Sequence, residues 1–332
     1  MMAWPHGDTE WAHMLDEIRD CVTDIAVAIS RDATLLLVVD GRFDDPAEVA
    51  ARLAAAGVPE GRLRSATAPL DDTWARDFGP LTVLVDGTPR LLDFGFNGWG
   101  LKFRAADDNR ISERLHEAGV FGSTLREVAG LWAEGGAMES DGAGTLLVRS
   151  ASLIGPNRNP GWTRSDYEQA FVRLLGIHHV AWLERGELIG DDTDAHIDTL
   201  ARLAPDDTIV YQACDDPHDE HFDELRAMAA ELATLRCAGG RPFRLLALPW
   251  PGRHVDPDDG HRLPATYANF LITNTQVLLP VYGRAEPDAQ AIKVVAAAFP
   301  GRTVVPIDCR AAIRQHGSLH CLTMQLPKGV LS

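Results

Sequence analysis

Apolar residues recur at helical spacing in five stretches of this chain: 46–56, with Val49, Leu53 and Ala56 on one face; 109–118, with Ile111 and Leu115; 165–175; 219–236; and 287–299, with Ile292, Val295 and Phe299. The first closes at Gly57 with Pro59 beyond it; the third opens on a capping pair, Ser165 with Glu168, and closes at Gly176. Between them run short strand-like segments: LLLVVDG from 35, LTVLVDG from 81, PRLLDFGF from 89, TLLVRSASLI from 145, TIVYQA from 208, FRLLALPW from 243, NFLITNTQVLLPVY from 269, RTVVPID from 302 and LHCLTMQL from 319. One helix with two or three strands forms a unit, and the units recur roughly every 60 residues, the alternation of a mixed α/β protein. No polar linker divides the chain, whose length fits one large domain over residues 1–332 or two smaller ones, and the spacing suggests five degenerate repeats although ordinary βαβ folds alternate at comparable intervals. A radial arrangement of such repeats would gather polar strand ends and loops at one centre.

Composition narrows the class. With 332 residues, 45% hydrophobic and 24% charged, the chain can bury a large core. The start, MMAWPHGDTEW, has no basic region followed by an apolar run, and apolar runs such as TLLLVV stop short of a bilayer span, so a cytoplasmic location is expected. Cys21, Cys214, Cys237, Cys309 and Cys321 are odd in number and lack CxxC spacing, which argues against a disulfide framework or a zinc site. A net charge of −17 disfavours nucleic acid and anionic membranes and suits a cationic small molecule. A homo-oligomer is compatible with this composition, which does not require one.

Five segments could carry chemistry. If HGSLHCLTMQLP is an extended strand, Cys321, Thr323 and Gln325 share its polar face, and the thiol is a candidate nucleophile as well as an ordinary small hydrophobe. In DDTWARDFGP, Asp71, Asp72 and Asp77 stand near Trp74 and Arg76, and a carboxylate beside an aromatic ring suits a cation. The plainer alternative is a loop in which Asp77 pairs with Arg76 or caps a turn. In DDTDAHID, His196 and Asp198 would share one face of a strand; Asp191, Asp192, Asp194, His196 and Asp198 also form a potential metal-ligand set. Glu134 precedes paired glycines, which suggests that a ligand or another segment approaches the backbone, although a simple turn explains it equally. The aromatic, glycine-rich FGFNGWGLKFRAADDN, with Asn97, Trp99 and Lys102, could cover a small-molecule site or pack on its own rings.

In their order, WPHGDTEW, DDTWARDFGP, FGFNGWGLKF, EGGAMESDGAGTLL, LIGPNRNP, DDTDAHIDTLARL, RLPATYANFLI and HGSLHCLTMQLP closely resemble the agmatine deiminase family, bacterial relatives of the peptidyl-arginine deiminases, over nearly the whole chain. The resemblance implies a five-fold pseudosymmetric α/β-propeller (pentein) fold, a single catalytic domain, and hydrolysis of agmatine to N-carbamoylputrescine and ammonia, with no metal or organic cofactor. It implies Cys321 as nucleophile, His196 as general acid/base, Asp198 and Asp77 as the clamps on the guanidinium, Glu134 as the residue that orients the histidine, and Trp74 along the substrate's aliphatic part. Asp192, Asn97 and Trp99 would complete the substrate-binding set.

The residue types suit that chemistry. A guanidinium is planar and presents five donors, so opposed carboxylates can fix it while its carbon faces a thiolate. Protonation of the departing nitrogen releases ammonia, and activated water then hydrolyses the S-alkylthiouronium. The chain departs from the family pattern at Asp192, where a glutamate is usual, at Ala195 and Leu101, where glycines are usual, and in a shortened glycine run before the HC motif. These departures bear on substrate length, so free, methylated or peptidyl arginine is the alternative substrate, with Arg104, Arg158 and Lys102 as candidate contacts for a carboxylate. A non-catalytic guanidino-metabolite binder and a metal-dependent hydrolase built on Asp194, His196 and Asp198 are the rivals from other classes.

Overall fold

The computed structural model describes residues 1–331, which contain five three-stranded sheets formed in chain order. They are β1 (Met2–Ala3), β2 (Leu35–Val39) and β3 (Leu63–Thr67); β4 (Leu81–Val85), β5 (Thr88–Gly95) and β6 (Leu125–Trp132); β7 (Met138–Ser140), β8 (Thr145–Arg149) and β9 (His179–Leu183); β10 (Ala201–Ala204), β11 (Thr208–Gln212) and β12 (Arg244–Leu248); and β13 (Leu271–Ile272), β14 (Gln276–Val281) and β15 (Thr303–Asp308). In every sheet the second and third strands run parallel. A parallel pair needs a crossover of a dozen or more residues, usually a helix. The five crossovers contain the helices Pro46–Ala56, Ile111–Glu117, Arg164–Leu175, Phe222–Leu232 and Ala285–Ala298, one in each of the five predicted helical stretches. β4–β5, β7–β8 and β10–β11 are antiparallel hairpins, and Asp141 shapes the second by accepting from the Ala143 and Thr145 amides at 2.7 and 2.9 Å.

Several sequence expectations need correction. The helix Leu15–Ser30, which buries Ile18, Val22, Ile25 and Ile29, lies outside the five predicted stretches although its apolar stripe has helical spacing. The cap of Arg164–Leu175 is Thr163 with Asp166, not Ser165 with Glu168, because Thr163 is the residue with extended backbone. Glu168 instead accepts from the Trp182 indole at 2.8 Å. The run from 145 leaves the strand conformation at Arg149 and turns helical over Ser150–Leu153. Residues 319–326 are not a strand: the Thr323 amide turns back onto the His320 carbonyl at 3.0 Å.

The chain forms two compact units, one of residues 1–135, 272–274 and from 319 onward, the other of residues 136–271 and 275–318. In the first, every residue of β2 is buried, as expected for a strand covered on both faces, and Ile18, Val22, Val49 and Leu53 add helix residues to the core. In the second, Leu183, Leu200, Ile209, Leu225, Met228 and Leu232 belong to one buried cluster of strand and helix side chains. No helix among the described residues is long and apolar enough to cross a membrane.

Candidate active site

In the first unit, WARDF folds into one helical turn, Ala75–Phe78, whose four residues are all buried. Asp77, 5% exposed, accepts a hydrogen bond from the Trp99 indole, Nε1 to Oδ2, at 3.0 Å. Trp99 sits at φ 55°, in the left-handed region that costs a bulky residue, and is held there on two sides. The Asn97 side chain accepts from the Gly100 amide at 2.9 Å, and the Trp99 ring makes edge contacts with Phe96 and Phe103 at 5.0 and 5.5 Å between centroids. The loop 96–103 therefore packs on its own rings and also holds the carboxylate of Asp77. Trp74 is buried and tilted against Trp11 at 5.7 Å.

Neighbouring acids lace this loop to the 71–77 segment. Asp71 accepts from the Asp107 amide at 2.5 Å and pairs with Arg104 at 2.6 Å, while its own amide donates to Asp108 at 2.8 Å. Burial pushes the Asp108 carboxyl well above the usual range. Burial likewise raises Asp72 to about 6, against hydrogen bonds from the Thr73 backbone and side chain and from the Trp11 and Trp74 side chains.

Cys321, 6% exposed, lies in the irregular segment after residue 318, and its carbonyl accepts from the Arg76 amide at 3.1 Å. The thiol therefore does not stand on the polar face of a strand; His320, Leu322 and Thr323 beside it are buried too. Glu134 is 1% exposed, and a Cβ on the following Gly135 would stand 2.2 Å from the Arg76 carbonyl oxygen and 3.1 Å from Met324 Cε. The close approach read from the paired glycines is thus found, and the approaching chain is the Arg76 turn. Within this unit, Asp77, Trp99, the Glu134–Gly135 step and Cys321 meet around that turn.

In the second unit, His196 and Asp198 are 1% and 0% exposed, and Ile197–Thr199 is a 3₁₀ turn, not the extended strand that would put the two on one face. Three groups shape the loop before it. Asp191 accepts from the Thr193 hydroxyl at 2.7 Å and the Ala195 amide at 2.6 Å; Ser152 donates to the carbonyls of Asp194 and Ala195 at 3.1 and 2.9 Å; and buried Arg158 pairs with Asp194 at 2.8 Å. Asp194 and Ala195 are both left-handed, at φ 70° and 60°. Behind the turn, the Asn269 amide group donates to the Asp198 carbonyl at 3.4 Å, and the Thr266 hydroxyl to that of Thr199 at 2.7 Å. Gln212 in turn accepts from the Tyr267 amide at 2.9 Å. The polar residues of RLPATYANF thus support the His196 turn from below. Asp192 is half-buried in the same loop.

Of the proposed carboxylate contacts, Arg158 is committed to this loop, whereas Arg104 pairs with Asp71 and Asp8. Asp194, a member of the alternative metal-ligand set, is the partner of Arg158; among the described residues the group that could converge on a metal ion is Asp256, Asp259 and His261, where Arg314 pairs with Asp256 at 2.9 Å. Sequence reasoning did not single out Arg76, Asn269, Thr266 or Ser152 as site residues. Only Asn269 carried a signal, as an amide side chain between Tyr267, Ala268 and Phe270 in an otherwise apolar run.

Comparison with solved structures defines the class. A C. jejuni agmatine deiminase, solved as a cysteine-to-serine variant with substrate bound, is 31% identical and matches 97% of this chain and 91% of its own with a TM-score of 0.86. A Porphyromonas gingivalis protein, provisionally named an arginine deiminase, is 45% identical and matches 100% of this chain and 96% of its own with a TM-score of 0.90. The five sheet-and-helix units are accordingly the repeats of the five-fold pseudosymmetric α/β-propeller (pentein) fold, and the protein is a C–N hydrolase of guanidino groups. The chain belongs to the Porphyromonas-type peptidyl-arginine deiminase family, whose sequence profile matches residues 1–327. A Marinomonas protein, provisionally named an agmatine deiminase, is 29% identical over 98% of this chain and 91% of its own.

Proposed function

We propose that the protein is a cysteine-dependent agmatine deiminase that releases N-carbamoylputrescine and ammonia, feeding putrescine and polyamine formation, and that the whole chain acts as one catalytic domain. One observation carries the reading: all five chemistry-bearing residues of the family pattern are present, and each is almost fully buried, Cys321 at 6%, Asp77 at 5%, Glu134 and His196 at 1% and Asp198 at 0%. A planar cation is a ligand that buried carboxylates suit, and its positive charge favours the thiolate form of a nearby cysteine.

In this reading Asp77 and Asp198 grip the guanidinium, and the Cys321 thiolate adds to its carbon. His196, oriented by Glu134, protonates the nitrogen that departs as ammonia and then takes a proton from the water that hydrolyses the S-alkylthiouronium, freeing the thiolate. Asp192, Asn97, Trp99 and Trp74 contribute to substrate binding, Asn97 and Trp99 through the loop that holds Asp77. The test is product identification by mass spectrometry with ammonia release, offering agmatine, arginine, dimethylarginine and an arginine peptide to the protein and to Cys321→Ala. Agmatine conversion lost in the variant is the expected result; ordinary rates in the variant would exclude the covalent route, and no turnover of any substrate would favour a binding role.

A second reading keeps the mechanism and changes the guanidine. It is favoured by the 45% identity to the P. gingivalis protein provisionally named an arginine deiminase, against 31% to the C. jejuni agmatine deiminase. Asp192, one methylene shorter than the usual glutamate, also points to a different fit at the far end of the substrate. Preferential turnover of arginine or a derivative in the same panel would establish it.

A further inference from the structure

Arg76 reaches across some 250 positions of sequence to the segment that carries Cys321, and it does so with both backbone and side chain. Its amide donates to the Cys321 carbonyl at 3.1 Å. Its guanidinium donates through Nε to the His320 carbonyl at 3.4 Å and through Nη2 to the Gln325 side-chain oxygen, and Nη1 lies 3.6 Å from Met324 Sδ. The residue is 6% exposed. No regular structure spans 319–326, and these contacts help to shape the segment together with the Thr323–His320 turn and the Met324–Met1 backbone bond at 2.9 Å. A guanidinium is permanently charged, and a fixed positive charge held against the backbone that flanks a cysteine favours the thiolate.

We propose that Arg76 is a positioning residue for Cys321: it clamps the residues on either side of the cysteine and, by its charge, raises the thiolate fraction of the resting enzyme. The proposal rests on the reading of Cys321 as the nucleophile, yet the thiol can be followed without turnover. The closest sequence reading of Arg76 was as a partner of the adjacent Asp77, which gives no reason for the backbone and side-chain contacts to residues 320–325.

The experiment compares wild type with Arg76→Met, Arg76→Lys and Gln325→Glu. The rate of iodoacetamide alkylation at Cys321 is followed against pH by peptide mass spectrometry, with kcat and KM for the preferred guanidine measured alongside. Arg76→Met should lower kcat by about tenfold or more with KM nearly unchanged, because the residue acts on the nucleophile and not on the substrate. Its alkylation profile should move to higher pH by about one unit. Arg76→Lys keeps the charge and should restore the alkylation profile while recovering only part of kcat, since an ammonium cannot reproduce the fork. Should Arg76→Met fail to fold, Gln325→Glu decides the matter: it leaves a partner for Nη2 but offsets the charge, and its alkylation profile should also move upward. An unchanged alkylation profile in Arg76→Met, or in Gln325→Glu where Arg76→Met does not fold, overturns the proposal. If Cys321→Ala retains turnover, the nucleophile reading fails instead, and the alkylation shift still reports whether Arg76 acts on the thiol.

Discussion

Replacing Trp99 by phenylalanine isolates one hydrogen bond of the site. The indole Nε1 donates to Asp77 Oδ2 at 3.0 Å, and the two residues are 7% and 5% exposed, so water cannot readily take over as donor. A hydrogen bond to a charged group contributes about 1.5–3 kcal/mol, and leaving a buried carboxylate oxygen without its donor costs a similar amount. Phenylalanine retains a ring between Phe96 and Phe103 and bears the same backbone cost at φ 55°, so those terms largely cancel. If Asp77 grips the guanidinium, the loss appears in catalysis, because a carboxylate that has lost this anchor matches the planar cation less well. The conversion of 1.4 kcal/mol per factor of ten then gives roughly a 10- to 150-fold fall in kcat/KM. The assay is steady-state kinetics on the preferred guanidine with urea denaturation alongside, and Phe96→Leu is the control, since it removes a ring contact without touching the hydrogen bond. A kcat/KM within about twofold of wild type, with the denaturation midpoint also unmoved, would refute both the strength assigned to the bond and the clamp role of Asp77.

Two further outcomes follow from backbone strain and from burial. Ala195 is left-handed at φ 60° where glycine would be relaxed. The left-handed region costs an L-residue about 1–2 kcal/mol, while glycine gives back about 0.5–1 kcal/mol through its freer unfolded chain, so Ala195→Gly should stabilise the protein by up to about 1 kcal/mol in urea denaturation. A loss of stability would mean that packing of the buried methyl outweighs the strain. Asp72 is raised by burial from its ordinary carboxylate range to about 6. The folded state therefore holds a proton that the unfolded state releases between pH 3.8 and about 6, so this group's contribution to stability falls as pH rises through that window and is constant above it. Asp72→Asn should gain relative to wild type between pH 4 and 7 in denaturation midpoints; a difference independent of pH would show that Asp72 titrates normally.

The scaffold and the candidate site were legible in different ways. Helices such as Pro46–Ala56 announce themselves by period and by terminators like Gly57, and their place in each parallel crossover follows from strand geometry. The candidate site residues lie in segments with no period to read: Asp77 in a single helical turn, His196 at the start of a 3₁₀ turn, and Cys321 in an irregular stretch. The strand expected at 319–326 is absent, and 196–198 is neither strand nor α-helix, because side chain to backbone bonds from Arg76, and from Asp191, Ser152 and Asn269, override any local alternation. What such segments do offer is residue identity together with order along the chain, and that is what a family resemblance draws on where periodicity has nothing to read. Arg76 shows where this stops. Sequence proximity pairs it with Asp77, but its fork is spent on His320 and Gln325, some 250 positions away. The residues that shape such a loop are chosen by the folded backbone, whereas candidates for chemistry are chosen by their side-chain type, and only the second kind can be read from a motif.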